Sequence, residues 1–416
     1  MRTLTTVVLL FAAAATGQTV DQTIRSSWSG EMGDASLFAT AQRIEAKLDA
    51  SPNDNNAQAA LGVVLFLRSG EGLLQRMYTH GAFNLPVQAS MIVGAGGDRR
   101  NIGFNSEPEP ITHEQFRQSI RDWIADVARA EGVLAAVGDD ELTVRLPIGL
   151  ARFDLNMDGE ASDREQLWRM LTAVQRQFRP SQEEADVFEI AFDRGDVAWL
   201  RGYCNVCMAA GEFLLAHDTS DLFERAGHLF FSKNETQFEF LKGTRKSFAF
   251  GTGIDASDIV AFVHLMSFEV VDPERMSKVR MLLLETIRLA HEMGRYYDAE
   301  TDDDREWIPN PTQRDCVIPG ADINEEMRDV WLRTLAETED MLHARRLLRF
   351  WRGNGEQGIN VRRFFLEPRR FDLLLWVQGS AAAPFLEEGE FTSDGLWRDI
   401  ERTFDRSAFR YMWWMN

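Results

Sequence analysis

From Thr112 to Val137 the chain reads THEQFRQSIRDWIADVARAEGVLAAV, with apolar residues returning every three or four positions and no proline to interrupt them. That spacing lays one apolar stripe along a helix and excludes the two-residue alternation of a half-buried strand. Thr112 and Gln115 stand at the spacing of a capping box, in which each side chain satisfies the other's backbone N–H. The same periodicity predicts helices over 36–50, 57–69, 163–178, 182–216, 219–232, 256–271, 273–297, 323–352 and 394–405. Alternation is confined to 141–146 and, ambiguously, to 370–378. The predicted fold is therefore mainly α: a multi-helix globular domain or irregular helical array with little β structure.

The first residues predict a compartment. Met1 and Arg2 precede an apolar run from Leu4 to Ala15, and small residues lead out to Gly17. The run is shorter than the ~20 residues that span a bilayer, and its layout is that of a cleavable secretory signal. A signal peptide at 1–17 implies a periplasmic or secreted protein, and no later apolar run reads as a transmembrane span of the mature chain. Beyond it the sequence divides into a polar segment (18–35), a helical region (36–297), an acidic, proline-containing loop or junction (298–320) and an Arg/Trp-rich helical region (321–416). Hydrophobic residues make up 44% of the chain, enough to build a core. A net charge of −20 repels phosphate backbones, so nucleic acid is not an expected partner.

One stretch carries readable chemistry. In FDLNMDGEASDRE, residues 153–165, Asp154, Asn156 and Asp158 offer side-chain oxygens at alternate positions. Gly159 permits a sharp turn, Glu160 offers a backbone carbonyl, Ser162 a hydroxyl, and Glu165 a carboxylate at the twelfth place. Calcium takes six to eight hard oxygen ligands, which a tight loop supplies in this way. These residues resemble an EF-hand calcium loop at every ligand position. The resemblance implies that Asp154, Asn156, Asp158, Glu160, Ser162 and Glu165 bind one Ca²⁺. It covers about thirty residues; Pro147 and Gly149 leave room for only a short incoming helix, and Ala161 stands where the family has a branched residue.

The remaining motifs are less specific. Cys204, Cys207 and Cys316 in an exported chain predict one disulfide, its partners unsettled. Gly353, Gly355 and Gly358 match a dinucleotide spacing, but a helix precedes them where a strand is required, so they read as a loop. Arg345, Arg346, Arg349 and Arg352 fall on a predicted helix with aromatics interleaved, and an anionic or saccharide envelope ligand is expected near them or, alternatively, ion pairs with the chain's own acids. Trp307, Trp331, Trp351, Trp376, Trp397, Trp413 and Trp414 crowd the last third. Two functions follow. The first is an exported calcium-binding protein of the cell envelope, a binding or scaffold protein with a structural ion. The second is a helical saccharide-acting enzyme with two carboxylates in a Trp-lined cleft, which needs them ~5–9.5 Å apart.

Overall fold

The computed structural model describes residues 18–82, 105–138, 142–169, 181–242, 256–317, 323–352 and 355–404. The predicted signal segment, the part of the predicted 163–178 helix beyond 169, and Trp413 and Trp414 lie outside them. The protein is mainly α, as its periodicity requires.

Four helices build the first half: α1 (Val20–Trp28), α2 (Leu37–Ala50), α3 (Asn55–Thr79) and α4 (His113–Ala135). At the head of α4 the capping box forms as predicted, Gln115 N donating to Thr112 Oγ1 (3.0 Å) and Thr112 N to Gln115 Oε1 (2.8 Å). The segment 18–35, polar in sequence, forms α1 through its own box between Thr19 and Gln22, and buries Ile24 and Trp28. Helix α3 is by length and composition apolar enough to cross a membrane, which the sequence reading did not anticipate. More than half of its apolar window is buried, with Ala57, Ala60 and Val64 in the protein core.

Next come β1 (Val144–Leu146), α5 (Gln182–Asp186), β2 (Ile190–Phe192) and α6 (Arg194–Ala216). The single helix predicted over 182–216 is thus broken. Ile190–Phe192 pairs antiparallel with β1 in the register Val144–Phe192, and Asp193 then caps α6. Helix α6 is the central element because two of its faces are apolar. Val197, Leu200, Cys204, Met208 and Leu215 join one core with α1 to α4, while Ala198, Ala209 and Ala216 join a second.

That second core is built from α9 and the helices after it. The elements in order are α7 (Ser220–Ala226), α8 (Ala256–His264), β3 (Ser267–Phe268), α9 (Pro273–Ala299) and α10 (Glu325–His343). They are followed by β4 (Leu348–Arg349), β5 (Gly358–Ile359), α11 (Val361–Leu366), β6 (Phe371–Asp372), α12 (Leu373–Gln378), β7 (Leu386–Glu387) and α13 (Asp394–Phe404). Helix α9 lies along α6, and Met276, Val279, Ile287 and Met293 pack with Val330, Trp331 and Leu335 of α10. The ambiguous 370–378 stretch is both elements in succession, β6 pairing with β3 and then α12.

The predicted 323–352 helix ends early. Ala344 takes a left-handed conformation (φ 60°), and the amides of Arg345 and Arg346 turn back to the Asp340 carbonyl (2.8 and 3.3 Å). Arg345, Arg346, Arg349 and Arg352 therefore lie beyond the helix, in β4 and its flanks. No disulfide forms: Cys204 and Cys207 lie on α6 and Cys316 in the segment before α10, all as thiols. Burial pushes the Cys207 thiol up to about 11 and raises the Cys204 thiol well above its usual range, so neither is poised to oxidise as a thiolate.

Candidate metal centre

The loop at 154–165 hangs from the first core. After β1 the chain makes a single 3₁₀ turn (Ile148–Leu150) rather than an incoming α-helix. Here Gly149 passes so close to α5 that a Cβ would fall 1.5 Å from the Ala185 carbonyl oxygen. The strand-like limbs on either side of the loop then close on each other. Phe153 N donates to Glu165 O (3.0 Å), Leu167 N donates to Ala151 O (2.9 Å), and Arg152 bridges Gln166 antiparallel. Phe153 and Leu155 are buried, which fixes the first limb against the core.

Within the loop the predicted ligand residues hold one another. The amide of Gly159, at φ +83°, donates to Asp154 Oδ2 (3.1 Å). Asp158 N donates to Asn156 Oδ1 (3.0 Å) and Glu160 N to Asp158 Oδ1 (2.9 Å), while Asn156 Nδ2 reaches Asp158 Oδ2 (2.8 Å). Glu165, 3% exposed, spans both limbs. Its Oε1 accepts from the amides of Leu155 (2.8 Å) and Asn156 (3.4 Å), its Oε2 from Ser162 N (3.1 Å) and Oγ (2.7 Å). The sixth predicted residue, Glu160, is exposed and enters through its backbone.

One oxygen is left over. Asp154 Oδ1 is buried and has no hydrogen-bond partner. A buried oxygen of an acidic group without a donor costs free energy unless a cation or donor meets it. The donor set of four side-chain carboxylate or amide residues, a hydroxyl and a turn carbonyl is the hard-oxygen chemistry that calcium favours.

Two residues of this site were out of reach of the motif. Glu71 on α3 accepts from the Asp154 amide (2.9 Å), and Gln75 Nε2 donates to the Asp154 carbonyl (2.6 Å). Glu71 is 7% exposed. Burial is the main cause that pushes its carboxyl up to about 7; the Asp154 amide and Arg68 pull it down, while the charges of Asp154 and Glu165 add to the rise. The available signal was an acid set between Gly70 and Gly72 within an apolar helix.

A second acidic group lies at the head of α6. Carboxylate oxygens of Asp193, Glu300 and Glu306 lie within 4.8 Å of one another. The segment 298–315, predicted as a surface loop, is pinned here. Asn310 Nδ2 donates to Tyr297 O (2.9 Å), Gln313 Nε2 to Asp302 O (2.9 Å), and Glu306 is 5% exposed. Each of the three carboxyls is held above the usual carboxylate range. Burial is the main cause that raises Glu300 to about 10 and Glu306 to about 7; Asp193 adds to both, and it hydrogen-bonds Glu300. Neighbouring Asp196, fully buried and raised well above the usual carboxylate range, accepts from Tyr297 Oη (2.6 Å).

The arginine group is largely spent on the chain's own acids. Arg345 pairs with Asp340 and Glu339 (2.5 and 2.9 Å), Arg346 with Glu337 (3.1 Å) and Arg349 with Asp394 (2.7 Å). Arg352 is exposed and lies beside Gly379. The tryptophans do not gather. Trp331 is buried in the second core, Trp307 meets Trp199 edge-on (5.3 Å), Trp376 stacks on Phe385 (6.0 Å), and Trp351 and Trp397 are exposed. Comparison with known proteins finds no matching family model, no matching curated protein and no matching solved structure.

Proposed function

We propose that the 154–165 loop binds one Ca²⁺ and that the ion is a structural staple in an exported helical protein of the cell envelope, a binding or scaffold protein. The observation that carries the metal reading is the buried, partnerless Asp154 Oδ1 in a loop whose twelfth residue, Glu165, is buried between both limbs. Export rests on the sequence of residues 1–17. A structural rather than catalytic ion is favoured because the loop supplies six ligand positions itself, whereas a catalytic metal keeps one open for substrate. Its attachments point the same way. Gln75 and Glu71 tie the loop to α3, and Arg152 Nη1 reaches the Trp28 carbonyl at the end of α1 (2.8 Å). An ion here would hold together parts of the chain more than eighty residues apart in sequence.

Isothermal titration of the chelator-treated protein with CaCl₂ tests the reading. One binding event per chain is expected, with a dissociation constant on the order of 10⁻⁴–10⁻³ M, the range of extracellular modules. Absence of binding at several millimolar calcium would sink it.

A further inference from the structure

A cavity of about 260 Å³ lies where α3, α4, α6, α7 and α8 meet. Its wall includes Met77, Phe116, Leu214, Phe223, Phe231 and Phe262. Three of the rings form a cluster, with centroids 6.0 Å apart for Phe116 and Phe223, 6.2 Å for Phe116 and Phe231, and 6.1 Å for Phe223 and Phe231. Thr219 brings the one side-chain hydroxyl, and it is already hydrogen-bonded to His113 Nε2 (3.0 Å). Burial, then the charge of Arg117, hold His113 below the usual histidine range, so the ring beside the wall is uncharged at neutral pH.

Protein interiors pack with few voids larger than a water molecule, because side chains facing a gap lose their dispersion contacts. Apolar side chains around an open space of this size are therefore a cost that a ligand of matching chemistry would remove. The wall also says what that ligand cannot be. A charged or sugar-like molecule would shed its hydration and find no free donor or acceptor among the lining side chains. Size follows from comparison: an apolar cavity of ~150 Å³ takes up benzene, so this one has room for roughly ten carbons. The helix carrying Phe262 also presents Ile259 and Val260 to solvent, 56% and 68% exposed, so its outer face is aliphatic as well.

We infer that this cavity binds one neutral apolar ligand, of the size of an alkyl chain of about ten carbons. The inference does not rest on the proposed calcium loop, which meets α3 through Glu71 and Gln75, neither of which lines the cavity. The test is titration of the full chain with the neutral ten-carbon fluorophore naphthalene, followed by competition with decan-1-ol. Saturable binding of one probe per chain, displaced by the alcohol, is expected. Leu222→Trp and Leu214→Trp each push a larger side chain into the space and should lose the probe while keeping the wild-type circular dichroism. Val260→Trp, on the outer face, should keep it. Hydrogen exchange of the wild type needs no variant, and saturating decan-1-ol should slow exchange over 220–226. A wild type that does not bind the probe, binding retained in both folded filling variants, or unchanged exchange over 220–226 would each overturn the inference.

Discussion

Glu165→Gln is the substitution that most directly separates a calcium staple from an acidic turn. The side chain is 3% exposed, and its two oxygens accept from Leu155, Asn156 and Ser162, on both limbs of the loop. Glutamine keeps the volume but turns one acceptor into a donor facing N–H groups, leaving buried donors unmatched. That alone should cost about 1–3 kcal/mol without any ion. The ion adds a second, separable quantity. A ligand that binds only the folded state stabilises it by RT ln(1 + [L]/Kd), about 2.7 kcal/mol at a hundredfold excess over Kd. At ~2 cal/mol/K of unfolding entropy per residue, a cooperative unit of some 400 residues converts this into a Tm shift of roughly 3 °C. Melting should therefore be followed for wild type and variant, each in chelator and in excess calcium. The wild type should gain about 3 °C on adding calcium and the variant close to nothing. Glu160→Gln is the internal control, since that residue would ligate through its carbonyl, and its calcium increment should match the wild type. A variant that kept the full increment, or a wild type with none, would refute the assignment of Glu165 and of the loop.

Three further outcomes follow from other parts of the structure. Glu300 and Glu306 have folded-state pKa values raised to about 10 and about 7, so their contribution is complete below the unfolded carboxylate range and is lost as pH rises through those values. Tm should fall between pH 6 and 10, and Glu300→Gln, neutral throughout, should flatten that fall; a wild-type Tm constant across the range would contradict it. Gly149→Ala would place a methyl 1.5 Å from the Ala185 carbonyl oxygen and should cost about 3 kcal/mol or more in denaturant titrations; a change under ~0.5 kcal/mol would mean the two segments do not meet as described. Thiol titration of denatured, unreduced protein should count all three cysteines, and a count of one would restore the disulfide that the sequence suggested.

How much could be read in advance depended on whether the signal was local. Helix α4 was legible because its stripe and its capping box lie in one continuous segment. The six positions of the proposed calcium loop could be named for the same reason, since they fall within twelve residues. What failed was non-local. Nothing within 182–216 marks Ile190–Phe192 as a strand until β1, some forty residues earlier, supplies a partner. The arginines after Ala344 kept helical spacing, but the cap at Asp340 ends the helix first. Glu71 and Gln75 support the loop from α3, and only the fold brings them there. The acidic stretch 298–315 looked like a solvated loop or junction because its charges suggest water; burial of Glu306 and Ile308 depends on α6 and α9 lying beneath it.

The loop at 154–165 and the acid cluster at the head of α6 are both rich in carboxylates, and their surroundings differ. In the loop, oxygens of Glu165 and Asp158 accept from backbone amides. In the cluster, burial raises the carboxyls of Asp193, Glu300 and Glu306, and Asp193 adds to the rise of the other two. Beyond burial, the causes acting on Glu300 and Glu306 come from Asp193, Gln313 and the 302–306 segment, none of them from the 154–165 loop. Helix α3 and Trp28 hold the loop, whereas Tyr297, Asn310 and Gln313 belong to the cluster's side. Substitutions that share no partner add within about 0.3–0.5 kcal/mol. The double variant Glu165→Gln/Glu300→Gln should therefore show the sum of the two single changes in unfolding free energy, in chelator and in calcium alike. The β1–β2 ribbon links the two regions, since Arg145 pairs with Asp304 while Leu146 leads toward the loop. An interaction free energy above about 1 kcal/mol would mean that this ribbon transmits the ion's effect to the proton-holding cluster, and that the two sites act as one.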